Sequence, residues 1–335
     1  MAFAQMPSYY NGIDFSESPE NLKQQLSLLI TSTHVIDLPY TSSELDTWDI
    51  VKQTDEVQSS IQDVYLFYGY DNSDGDLKTD YTRDESLSCH VSSCIGLWNR
   101  EHVFAKSLAM PNLETSQPGP GTDIHNLRAS DSQMNSSKSN RLFEDSSGNS
   151  HITSNGEWYP GDEWKGDVAR IIMYMYLRYP TQCIANNTAL STNNFHPDMP
   201  DIFLNWNVED PVSQVELQRN DILHNTQGNR NPFIDNPYIA TMIWNGNAAQ
   251  DSWDTLSVDD EFDRLVLFSI FPNPTDDVIH IKPSGLDIIL VNLTGQVLIK
   301  AKNINQLDVS TLEDGFYILQ LSSDKGQRSL KFLKM

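Results

Sequence analysis

The texture of the chain breaks near residues 250–268, and that break constrains the fold more than any other feature. After it come FPNP and then VIHIKP, DIILVNL, QVLIKA, GFYILQL and SLKFLKM, short apolar alternations separated by turns such as TGQ and EDGF. Alternation at period two, without long helices, specifies a small antiparallel sandwich. Before the break the period is helical. Leu22, Leu26, Leu29 and Ile30 share one face, as do Val168, Ile171, Ile172 and Met175 in KGDVARIIMYMYLR, where Asp167 is placed to cap. The expected fold class is α+β: a mostly helical first domain followed by a small all-β domain.

The chain has 335 residues, 39% of them hydrophobic, enough for one large globular domain plus a small one. Its net charge of -24 argues against generic binding to polyanions or anionic membranes. Residues 97–141 are the exception. Arg100, Lys106, Arg128, Lys138 and Arg141 outnumber Glu101, Glu114, Asp123 and Asp131 by one, leaving -25 on the rest. No apolar run is long enough for a transmembrane helix. The opening MAFAQ reads as the end of an export signal, with small residues before a cleavage site.

The same segment carries the chemistry. IGLWNREHV reads as a strand ending at His102, with Glu101 beside it. DIHNL reads as a second strand, and Ser130 with Gln133 reads as a capping box that starts a helix carrying Asn135. A carboxylate and an amide oxygen suit a hard cation such as Mg²⁺. An imidazole suits a base that activates water. In a regular strand neighbouring side chains face opposite sides, so a site shared by Glu101 and His102 needs the strand to end or bulge there. Elsewhere, Ser42 or Ser43 reads as a helix start, VYLFYGY at 64–70 as a buried strand, and 209–235 as a helix running into a turn-rich loop.

Blander readings compete. A lone His is usually structural, and His125 is expected to bond backbone across the strand–helix junction. Cys89, His90, Cys94 and His102 offer an irregular zinc set, but the acidic surroundings favour a harder ion. Cys89 and Cys94 are close enough to bridge, leaving Cys183 over.

Five segments in order, YYNG, WNREHVFAKS, DIHNLRASDSQMNSSKSNRLF, KGDVARIIMYMYLRYP and DPVSQVELQRNDILHNTQGNRNPFID, make residues 8–245 resemble the endonuclease I family of the His-Me finger (ββα-metal) class. The resemblance implies a ββα-metal core within the helical domain and a secreted, sequence-nonspecific endonuclease. It would hydrolyse DNA or RNA, or both, to 5′-phosphate products. It assigns His102 as general base and Glu101 and Asn135 as ligands of one ion, Mg²⁺ first, with Ca²⁺ or Mn²⁺ as alternatives. Arg128 and Arg230 are suggested as phosphate contacts because guanidinium matches phosphate in a forked geometry. Ala105 stands where the family has proline before Lys106.

FPNP, TGQ, DVSTLEDGFYILQL and the closing KFLKM resemble the sorting domain of the type IX secretion system. That implies export through this machinery to the outside or the cell surface, without membrane insertion. The expected division is an export-signal remnant at 1–5, a nuclease domain at 6–250, a linker at 251–267 and a sorting domain at 268–335, in a monomer. The rivals are a secreted module that binds nucleic acid or metal without cleaving, and a structural surface domain. A base beside a metal has no use in either.

Overall fold

Ser18 accepts from the Asn21 amide and opens helix α1, Pro19–Ser32, which buries Leu22, Leu26 and Ile30 as the spacing predicts. The computed structural model describes residues 5–91, 93–256, 269–282, 285–292, 295–323 and 326–335. The expected export-signal remnant therefore lies outside the described residues except for Gln5. The chain forms two compact units, residues 1–256 and 257–335. Residues 251–256, expected as linker, belong to the first: Trp253 is buried in its main core. The remainder of the expected linker, 257–267, lies outside the described residues.

In the first unit, helix α2 (Thr47–Thr54) starts later than Ser42 or Ser43 suggested. Asp46 caps it instead, accepting from the Trp48 amide at 2.7 Å and forming a capping box with Asp49. Strands β1 (Glu56–Val57), β2 (Ser60–Tyr65) and β3 (Thr82–Asp84) form an antiparallel sheet in that order. β2 stops at Tyr65, short of the strand expected through Tyr70. The next residues turn, with Gly69 N–H donating to Leu66 O at 2.8 Å and Tyr68 at φ 74°. Gly69 has no alternative, because a Cβ there would lie 2.0 Å from Asp80 O.

Strand β4 (Trp98–His102) ends at the histidine as expected. DIHNL is not a strand: Ile124–Asn126 is a 3-10 turn capped by Asp123, and β5 spans Leu127–Asp131. β4 and β5 pair antiparallel without interruption, from Trp98 opposite Asp131 to His102 opposite Leu127. Helix α3 (Ser132–Lys138) follows directly. Its cap is Asp131, which takes the Gln133 and Met134 amides at 2.8 and 3.0 Å. Ser130 stays in the ladder, its hydroxyl donating to Phe67 O at 3.0 Å. One face of this unit, Trp98, Leu127 and Ala129, is buried against Trp48, Val51, Val64 and Leu223.

A short hairpin, β6 (His151–Ile152) with β7 (Trp158–Tyr159), precedes α4 (Lys165–Arg178), nearly every residue of which is buried. Asp167 does not cap α4; it is drawn inside to Arg128. α5 (Asp201–Glu209), α6 (Gln214–Gln227), α7 (Pro232–Asp235) and α8 (Tyr238–Trp244) complete the unit.

The second unit has two antiparallel sheets. Strands β8 (Ser269–Phe271), β9 (Val278–Lys282) and β12 (Gln306–Asp308) form one, with β9 central. The other runs β11 (Val297–Ile304), β10 (Leu286–Asn292), β13 (Gly315–Ser323), β14 (Gly326–Lys334). Ile279 and Ile281 from the first share a core with Ile288, Leu290, Leu319 and Leu321 from the second, which is the expected sandwich. The two short strands β8 and β12 are additions to the five expected. Among the described residues no helix is long and apolar enough to cross a membrane.

Candidate active site

The β4–β5 ladder keeps its register through Glu101 and His102, so strand alternation holds and no bulge intervenes. Asn99 and Glu101 leave on one face; Trp98, Arg100 and His102 leave on the other. The strand ends directly after this pair. The chain bends at Val103 and Phe104, where Asn126 clamps it: Val103 N–H donates to Asn126 O at 3.1 Å, and Phe104 N–H to Asn126 Oδ1 at 2.7 Å.

His102 is buried, with its ring stacked on Tyr40 at 5.6 Å between centroids. Its Nε2 lies 2.8 Å from Gly121 O. A carbonyl only accepts, so Nε2 carries the proton and Nδ1 keeps a lone pair. Burial lowers the His102 pKa to about 4, which keeps the ring neutral. Gly121 is required for this approach, since a Cβ there would sit 2.1 Å from Glu114 O.

Glu101 is 3% exposed and held at one oxygen. The Tyr68 hydroxyl donates to Oε1 at 3.1 Å, and the Lys138 ammonium lies 3.6 Å from the same atom. Among the described residues no hydrogen bond or ion pair reaches Oε2. Burial pushes the Glu101 carboxyl up to about 7, with Lys138 opposing the shift. Lys138 is wholly buried, and burial lowers its own pKa. The Lys138 charge also acts on His102, which places both groups within its field.

Asn135, on α3, donates from Nδ2 to Asn99 Oδ1 at 2.8 Å. That bond turns the Asn135 carbonyl oxygen away from Asn99, and among the described residues no side chain donates to it. Glu101 Oε2 and Asn135 Oδ1 are hard oxygen donors without partners among the described residues, and they fit a divalent cation of the Mg²⁺ or Ca²⁺ type that keeps several waters. Among the described residues no three His, Cys, Asp or Glu side chains gather as a metal cluster. The zinc set is overturned: Cys89 and Cys94 form a disulfide with Cα atoms 5.6 Å apart, and His90 packs on Trp48.

Neither suggested arginine reaches this site. Arg128 is fully buried, its Nε donating to Asp55 at 3.0 Å and its NH1 to Asp167 at 2.7 Å. It neutralises two interior carboxylates and has no surface to offer a phosphate. Arg230 clasps Asp235 through Nε and NH2, both at 2.7 Å, and adds Asp221 at 2.8 Å; none of these touches Glu101, His102 or Asn135. The basic island is likewise mostly internal. Arg100 and Lys138 are buried with Arg128, leaving Lys106 exposed and Arg141 partly exposed. His125 is buried, packs on Tyr174 at 4.3 Å and bonds backbone at Asn229 rather than across the expected strand–helix junction.

Sequence reasoning missed Tyr68, Asn99 and Tyr40. Asn99 lies inside the motif, two residues from Glu101, and period two puts both on one face. Tyr68 had no such signal. Tyr68→Phe removes one hydroxyl and keeps the ring. It is expected to weaken divalent-ion binding about 10- to 100-fold, as loss of an outer-shell partner does. Calorimetric titration with Mn²⁺ checks this, and wild-type affinity would show that Tyr68 does not hold Glu101 in place.

The endonuclease I family model matches residues 18–238, two thirds of the chain. The chain belongs to the endonuclease I family. A second model, the secretion system C-terminal sorting domain, matches residues 269–335. An extracellular ribonuclease of Bacillus subtilis (strain 168) is 36% identical over 255 residues, covering 72% of this chain and 80% of its own. An extracellular ribonuclease of Bacillus amyloliquefaciens is 37% identical over 209 residues, covering 59% and 66%. This nuclease is thus an exported protein whose second unit is a sorting domain, destined for the cell surface or beyond.

Proposed function

We propose that the chain is a metal-dependent, sequence-nonspecific endonuclease of the His-Me finger class, acting on RNA and DNA and leaving 5′-phosphates. The observation that carries the reading is the His102 tether. Its Nε2–H is held on Gly121 O, which leaves Nδ1 as a proton acceptor at the end of the strand that carries Glu101.

Glu101 and Asn135 would hold the ion, and His102 accepts a proton at Nδ1 from the attacking water. When bound, Mg²⁺ supplies positive charge that stabilises the transition state and the departing 3′ oxygen. Attack by water with loss of the 3′ oxygen leaves the phosphate on the 5′ side. The 2′-hydroxyl takes no part in this step, so DNA is a substrate alongside RNA. The two Bacillus relatives, named as ribonucleases, support RNA. Export through the type IX secretion machinery follows from the sorting domain.

The test is digestion of plasmid DNA and total RNA with Mg²⁺ and with EDTA. Cleavage of either only with Mg²⁺, with 5′-phosphate ends, is expected. No cleavage by folded protein, or cleavage unaffected by EDTA, overturns the reading, the first result in favour of a module that binds without cutting.

Few surface cations remain near the site, so substrate binding depends only weakly on salt. Two phosphate contacts, Lys106 and Arg141, give log affinity against log salt a slope of about -1.4 to -1.8. Binding measured in EDTA across a salt series checks this; a slope steeper than about -4 would mean that a larger basic surface exists.

A further inference from the structure

Beside Tyr68 the first unit opens into a cavity of about 500 Å³, within the range of small-molecule sites. Tyr68 is part of its wall, yet the Tyr68 hydroxyl bonds Glu101 at 3.1 Å. Tyr68 therefore links the wall of the cavity to the proposed ion site. Tyr70, Tyr81, Trp164 and Glu163 line it too. Tyr81 packs against Trp164 at 5.5 Å and donates its hydroxyl to Glu163 Oε1 at 2.8 Å. Glu163 is exposed, and among the described residues nothing donates to its Oε2. Tyr70 is half-buried, and among the described residues its ring has no aromatic partner and its hydroxyl no hydrogen bond.

A half-buried tyrosine ring and a carboxylate that line one cavity select its ligand. The carboxylate repels phosphate, so the backbone does not enter. A nucleobase is neutral and stacks on tyrosine, as bases of single strands do on aromatic platforms. N–H donors along its edge would meet Glu163. Guanine presents two adjacent ones, N1–H and the N2 amino group, where other bases present fewer.

We propose that this cavity takes the nucleobase next to the scissile phosphate, with preference for guanine. The proposal rests on the nuclease reading above. It gives a bias at one position and no recognition sequence, because a single base is touched.

The test is digestion of randomised single-stranded RNA with Mg²⁺ and sequencing of the new ends, for wild type, Tyr70→Ala, Tyr70→Phe and Glu163→Ala. Guanosine, which has no phosphate, is titrated into each protein in parallel. None of these residues contacts Glu101, His102 or Asn135, so all four proteins still cut. Guanine is expected to be enriched at one position flanking the cut in wild type and not in Glu163→Ala. Tyr70→Ala is expected to lose about 5- to 100-fold in kcat/KM, the effect of one stacked base, with Tyr70→Phe near wild type. Guanosine binding should fall in Tyr70→Ala and Glu163→Ala. Cutting with a flat base profile, or a bias unchanged in both alanine variants, overturns the subsite and leaves the nuclease reading standing. No cutting by wild type overturns the nuclease reading and the subsite with it.

Discussion

Replacing His102 with alanine lowers the rate of phosphodiester cleavage by about 10²–10⁴-fold, the usual contribution of a positioned general base. The structure gives this residue partners different from those of the proposed ion ligands. Among the described residues its side chain bonds Gly121 O, and its ring contact is with Tyr40. Glu101 and Asn135 are held by other partners, Tyr68, Lys138 and Asn99. The variant should therefore bind Mn²⁺ as wild type does, melt within a few degrees of it, and fail only in turnover. Single-turnover cleavage with Mn²⁺ titration separates the two. Full activity in the variant would remove His102 as the base, and loss of ion binding would recast it as part of the ion site.

Local signals in the sequence read well where local forces decide. The strand ending at His102 and the helix after it were legible because apolar spacing and capping residues act over a few positions. Their exact start was not. Ser130 and Asp131 are both good caps, and the choice between them falls to a contact distant in sequence, since the Ser130 hydroxyl is taken by Phe67 O and the Asp131 carboxylate is left to accept the helix amides. The same holds for VYLFYGY, which reads as one strand but turns after Tyr65. The turn lets Phe67 N–H donate to Ala129 O at 2.7 Å and carries the Tyr68 hydroxyl to Glu101. A positive φ at a buried tyrosine is strained, and it persists because contacts distant in sequence impose it. Ser150, 82 residues away, holds the Tyr68 carbonyl. No local pattern encodes that.

Arg128 shows where such reading goes furthest astray, and it gives the second large effect. In the sequence it is a cation beside a catalytic motif, and a phosphate contact is the natural suggestion. In the fold its partners Asp55 and Asp167 lie 73 and 39 residues away, and the guanidinium packs over Phe67 at 4.4 Å. Asp55 is shared with Arg219 at 2.9 Å and also accepts the Ala129 amide at 2.6 Å. The cluster thus joins the β5 strand to α2, α4 and α6. Arg128→Met keeps much of the volume and removes the charge, leaving Asp167 without its closest partner and Asp55 with Arg219 alone. Breaking a buried pair in this way costs about 3–5 kcal/mol, because the remaining charge stays desolvated. For a unit of this size that lowers Tm by roughly 6–20 °C. Thermal unfolding followed by circular dichroism reads this directly. The salt series supplies the contrast: loss of a true phosphate contact reduces the slope by about one, whereas loss of an internal strut leaves it unchanged in the molecules that remain folded. A variant with wild-type Tm and a shallower salt slope would return Arg128 to the substrate surface; a large fall in Tm with the slope preserved fixes it as part of the frame that supports β5 and, through the ladder, Glu101.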